Sequence, residues 1–78
     1  MPTILRDGPY RFFFYAGDQD EPPHVHVERD ERTAKFWLAP VRMCSSGKFG
    51  RAELAEIGRL VVARRDTLLE AWNEYFHG

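Results

Sequence analysis

Hydrophobic and polar positions along this chain follow two periods. From Tyr10 to Leu38 apolar residues come in short, largely alternating runs, and from Leu54 to Phe76 they recur every three or four residues. The first spacing is that of strands, the second that of helices. Together they predict an α+β domain. An N-terminal antiparallel meander of three or four strands is packed on one face by a C-terminal helix or helix pair.

Thr3 to Arg6 is a short extended segment, ended by the turn signal Asp7-Gly8-Pro9. Tyr10 to Tyr15 is an almost purely aromatic run and the strongest strand signal. An acidic loop follows from Gly17 to Pro22, and a strand runs from His24 to about Glu28. Arg29-Asp30-Glu31 is polar enough for a hairpin turn, although it lacks an Asn-Gly or Asp-Gly pair. Arg32 to Leu38 is the next strand, ended by Pro40, and Met43 to Gly50 reads as a loop. In the C-terminal part, Leu54, Ile57, Val61, Leu68, Trp72, Tyr75 and Phe76 form one stripe whose phase holds throughout, which predicts a single long helix. Arg65 interrupts the stripe, and Thr67-Leu68-Leu69-Glu70 offers a capping box for a second helix instead.

A helical layer can cover one sheet face. The apolar choice is Val25, Val27, Ala34, Phe36 and Leu38. The other face then carries His24, His26, Lys35 and Trp37, joined by Arg11, Phe13 and Tyr15 if the aromatic strand is in register. The two histidines stand roughly 7 Å apart, two strand steps. Large aromatics left exposed in this number suggest a partner surface.

Composition narrows the classes. Seventy-eight residues make one small domain, 1–78, and the 44% hydrophobic and 14% aromatic content supplies a dense core. A net charge of -1 gives no global field toward nucleic acid or membrane. The single Cys44 excludes an internal disulfide and a multi-cysteine zinc site, and fits a reducing compartment. No signal-like start or membrane-length apolar run appears, so a soluble cytoplasmic protein is expected.

Several stretches are also similar to a known family. Pro2-Thr3-Ile4-Leu5-Arg6, Tyr10-Arg11-Phe12-Phe13-Phe14-Tyr15, Glu21-Pro22-Pro23-His24-Val25-His26-Val27, Ala34-Lys35-Phe36-Trp37-Leu38-Ala39-Pro40 and Leu69-Glu70-Ala71-Trp72-Asn73-Glu74-Tyr75-Phe76 resemble the small prokaryotic proteins of domain-of-unknown-function family 4160. The resemblance implies a setting beside a second small protein, encoded by a neighbouring gene, in a toxin–antitoxin-type module. It implies no catalytic residues. Gly50 departs from the better helix cap, such as serine, expected there.

His24 and His26 admit three readings. They are strand residues bonded to neighbours, or an acid–base pair, or metal ligands. As an acid–base pair they suit cleavage of RNA through its own 2'-hydroxyl, with Lys35 or Arg11 holding the phosphate and Tyr15 or Trp37 stacking on a base. As ligands they lack a convincing third, for which Glu21, Glu28 and His77 are the candidates. The expectation is therefore no bound metal, no cofactor and no specific thermal shift with zinc or nickel. The leading functional expectation is a toxin component, a metal-independent ribonuclease with His24, His26 and Lys35 catalytic and Arg11, Tyr15 and Trp37 binding substrate. The alternatives are a non-catalytic protein-binding module, as antitoxin or regulatory partner, and a small metal-dependent enzyme. The acidic residues from Asp18 to Glu21 count against RNA. Trp72, Tyr75 and Phe76 are expected in the core or in a homodimer contact.

Overall fold

A computed structural model describes residues 3–77 of the chain. Five strands pair in chain order as one antiparallel sheet: β1 (Thr3–Asp7), β2 (Tyr10–Phe13), β3 (His24–Arg29), β4 (Arg32–Leu38) and β5 (Val41–Ser45). A 3-10 turn (Ala16–Asp20) lies between β2 and β3, and two helices follow the sheet, α1 (Arg51–Ala63) and α2 (Arg65–His77). This is the α+β meander that the two periods predict.

One expectation needs correction, and one alternative is decided. The sheet has five strands, not three or four, because Val41–Ser45 pairs with β4. That segment is short, mostly exposed and lies at the sheet edge, so it lacks the apolar run that marks a half-buried strand. Of the single helix and the helix pair, the pair is what forms. They meet at Arg64, whose φ of -101° and ψ of 6° end α1. Val61 of α1 and Leu68 of α2 stand seven residues apart, and Ile57 and Leu68, like Val61 and Trp72, eleven, each close to a whole number of helical turns. The stripe therefore keeps its phase through the bend and hides it. Arg65 opens α2 and donates from Nε to the Leu38 carbonyl at 2.9 Å, tying the bend to the end of β4.

Register follows the predicted faces. Val25 stands opposite Phe36, Val27 opposite Ala34, and Phe12 opposite Val27. These residues, with Phe14, Leu38, Ile57, Val61, Leu68 and Trp72, form one buried cluster between sheet and helices. Each fully buried Val, Leu or Phe side chain contributes about 1.5–3 kcal/mol relative to exposure. The β3–β4 hairpin turns on Asp30 and Glu31, with Asp30 in the left-handed region at φ 55°, so a short polar residue does the work of the absent glycine. No helix among the described residues is long and apolar enough to cross a membrane.

Candidate metal centre

β3 starts immediately after Pro22-Pro23, and its period of two puts His24 and His26 on the side opposite Val25 and Val27, with His24 at the strand end also reaching Trp72 of α2. Their ring centroids are 5.2 Å apart. The chain reaches them a second time through the 3-10 turn. Asp18 N–H donates to the Tyr15 carbonyl at 3.0 Å, and Tyr15 N–H donates to Asp18 Oδ2 at 2.8 Å. This local bonding aims Oδ2 at the histidines, 3.1 Å from His24 Nε2 and 3.0 Å from His26 Nε2. Asp18 is the residue missed by sequence reasoning. It lay in a loop read only for its charge. The available signal was its turn chemistry, since an Asp near the end of a strand folds the backbone onto its own side chain.

His24 has no exposed surface. Its ring packs against Trp37 and Trp72, at centroid distances of 5.6 Å and 5.1 Å. Nδ1 lies 2.9 Å from the Pro22 carbonyl oxygen. A carbonyl only accepts, so Nδ1 carries the proton and, in the neutral ring, Nε2 presents a lone pair. Nε2 makes no hydrogen bond of acceptable geometry, despite its approach to Asp18. Nε2 therefore lies against the Asp18 carboxylate oxygen without a hydrogen bond to it. Leaving a buried polar atom unsatisfied costs about 1–3 kcal/mol.

His26 stacks on Phe13 at 5.3 Å and meets the edge of Tyr15 at 4.6 Å. Burial pushes its pKa below the ordinary 6.5, although the Asp18 carboxylate pulls the other way. Burial also pushes Asp18 upward, but the Tyr15 N–H and the two imidazoles outweigh it and leave the carboxyl below its ordinary range. At neutral pH these are a carboxylate and a neutral imidazole, the protonation states that ligate metals. One ligand atom from each of Asp18, His24 and His26 lies within 4.8 Å of the other two. Bonds of about 2.0–2.2 Å from one ion require ligand atoms a little over 3 Å apart, close to the separations at Asp18 Oδ2. Two imidazoles and one carboxylate suit zinc, ferrous iron or a neighbouring first-row ion.

The other predicted site residues surround this centre. Lys35 stands directly opposite His26 across β3 and β4, and its Nζ lies over the Trp37 ring at 4.7 Å. It is bonded to Glu21, which raises the lysine pKa and lowers that of the glutamate. Arg11 donates to Glu28 at 2.9 Å and lies 4.2 Å over the Phe13 ring. Both cations therefore already have carboxylate partners. Trp37 is half-buried, and Tyr15 is 42% exposed. The expected bare aromatic face is thus largely covered: Phe13 is only 1% exposed beneath Arg11, Tyr15 and His26. Of the third ligands considered from sequence, Glu28 is engaged by Arg11, Glu21 by Lys35, and His77 closes α2 outside the cluster.

A family model described as "Domain of unknown function (DUF4160)" matches residues 10–73, which include the sheet from β2 onward, the three clustered residues and most of both helices. The chain belongs to this family. No curated protein and no solved structure matches it.

Proposed function

We propose that this protein binds a single first-row transition-metal ion through Asp18, His24 and His26 and works as a small metal-dependent enzyme. The observation that carries this reading is the buried His24 Nε2, unpartnered and 3.1 Å from a carboxylate oxygen, with its tautomer fixed by the Pro22 carbonyl. A hydrogen bond of that kind, from the ring nitrogen turned away from the site, is the usual support of a metal-ligating histidine. Three protein ligands leave a position for water, the arrangement of catalytic rather than structural mononuclear sites. Asp18 and His26 side chains keep 13% and 12% of their surface, so water has access on that side. His26 Nε2 is hydrogen-bonded to Asp18 Oδ2 at 3.0 Å, and to hold an ion it would present that nitrogen without its proton.

Metal-independent cleavage of RNA has less support. His24 has no surface for a substrate, and the flanking cations are held by Glu21 and Glu28. The same charge pairing favours a second reading, a module that docks a protein partner in a two-protein, toxin–antitoxin-type setting. In that setting the metal-dependent reading makes this chain the acting component.

Calorimetric titration of the metal-stripped protein with zinc or cobalt separates the readings. One equivalent should bind, with cobalt giving the visible absorption of a low-coordinate nitrogen–oxygen site. The melting temperature should rise as the ion is added, by the equivalent of about 2.7 kcal/mol at a hundredfold excess over Kd. Asp18→Ala and His26→Ala, at partly exposed positions, should stay folded and lose the effect. Absence of stoichiometric binding to the wild type, or equal binding to both variants, rejects the metal centre and leaves the docking module.

A further inference from the structure

The edge of the sheet opposite β1 is β5, and a groove of about 440 Å3 runs between it and α1. Val41 and Met43 stand opposite Leu38 and Phe36 and share their face, so they form one wall. Val62 of α1 forms part of the other, and Phe36 lies at the base. Gly58 also lines it, and a Cβ there would sit in ordinary contact with the Phe36 ring at 3.7 Å. Met43 is 47% and Val62 60% exposed, two of the most exposed large apolar side chains among the described residues. Two arginines, Arg42 and Arg59, also line the groove. Among the described residues, ion pairs engage Arg11, Arg29, Arg32, Arg64 and Arg65, but neither of these two.

We infer that β5 and α1 form a docking site for an extended acidic–apolar segment of a partner protein, which adds to the sheet as a sixth strand. Three features specify the occupant independently. The outer side of β5 offers unpaired N–H and C=O groups, which another strand satisfies. Alternate side chains of an added strand fall on one face, so every second residue enters the groove and must be apolar. The intervening or flanking residues meet Arg42 and Arg59, which select aspartate and glutamate. A helix would leave the strand edge unpaired, and a basic segment would be repelled. The site is remote in sequence from Asp18, His24 and His26 and does not depend on a metal there.

The test is selection of a phage-displayed library of random short linear peptides on the immobilised full chain. Enriched sequences should alternate Asp or Glu with Val, Ile, Leu or Phe, and a synthetic copy should bind in fluorescence anisotropy. N-methylation of alternate backbone amides in that copy should abolish binding. Val62→Asp and Arg59→Glu, both at exposed helix positions, should each weaken it about tenfold or more while the circular dichroism spectrum stays unchanged. Asp18→Ala should bind the peptide as the wild type does. The inference falls if no peptide is enriched, or if the enriched peptides are basic or helical. It also falls if binding survives N-methylation or both substitutions. A concentration-dependent dimer that Val62→Asp dissolves would assign the groove to a second copy instead, which equally overturns the partner assignment.

Discussion

Trp72 joins the two sides of the molecule. It is 3% exposed and contacts Phe14 at 5.2 Å, Phe76 at 4.4 Å and the His24 ring at 5.1 Å. The indole therefore fills the core and also supports a candidate ligand. Trp72→Ala should destabilise by about 3–5 kcal/mol, the range of large aromatic deletions. Denaturant melts read this directly, and a loss below about 0.5 kcal/mol would put Trp72 at the surface. The same substitution should weaken metal binding even under conditions where the variant folds, because His24 loses one wall of its pocket. Helical spacing was enough to assign Trp72 to the core. Its contact with His24 was not legible, since alternation assigns a residue to a sheet face and says nothing of a side chain at a strand end reaching toward the helical layer.

Turns decide how the elements meet. Gly47 has φ 57°, and a Cβ there would lie 1.7 Å from the Thr33 carbonyl oxygen. The loop after β5 thus passes directly over the backbone at the start of β4. Gly47→Ala would combine a left-handed backbone penalty with a clash against main-chain atoms that cannot rotate away. It should destabilise by about 2 kcal/mol or more, whereas Gly17→Ala, with open space around it, should fall within the small range of surface changes. Equal melting temperatures for the two variants would contradict this packing. The boundaries of β4 were legible because Arg32–Leu38 alternates cleanly and Pro40 follows. β5 was not, because an edge strand with one half-buried residue carries little hydrophobic pattern. The break at Arg64 was hidden for the opposite reason: two helices in phase look like one.

The whole fold is held across its layers by charge pairs as well as by apolar contact. Glu53 of α1 accepts from the Tyr10 hydroxyl at 2.8 Å and from Arg29 at 2.7 Å, linking the first helix to β2 and to the β3–β4 hairpin. These hydrogen bonds, Tyr10 first, lower the Glu53 pKa from 4.5. Asp18 and Glu21 are lowered too, and so is His26, from 6.5. A group with a depressed folded pKa adds stability that is present above its unfolded value and lost as pH falls through the folded one. All four therefore act in the same direction on acidification: His26 first, below 6.5, and the carboxylates below their ordinary range. Tyr10, raised from 10.0 by burial and then by Glu53, and Lys35, raised from 10.5 by Glu21, act on the alkaline side. Their contribution is full below the unfolded values and lost as pH rises through the folded ones. The melting temperature should thus be flat from just above neutrality to the onset of tyrosine titration and fall on both sides. Glu53→Gln, which keeps an acceptor for Tyr10 but removes the charge, should lower the plateau and flatten the acid limb without moving the loss that begins below 6.5. His26→Gln should do the reverse. A pH series of thermal melts on the metal-free wild type and the two variants distinguishes these limbs, and identical acid limbs in all three would mean that neither group is linked to folding.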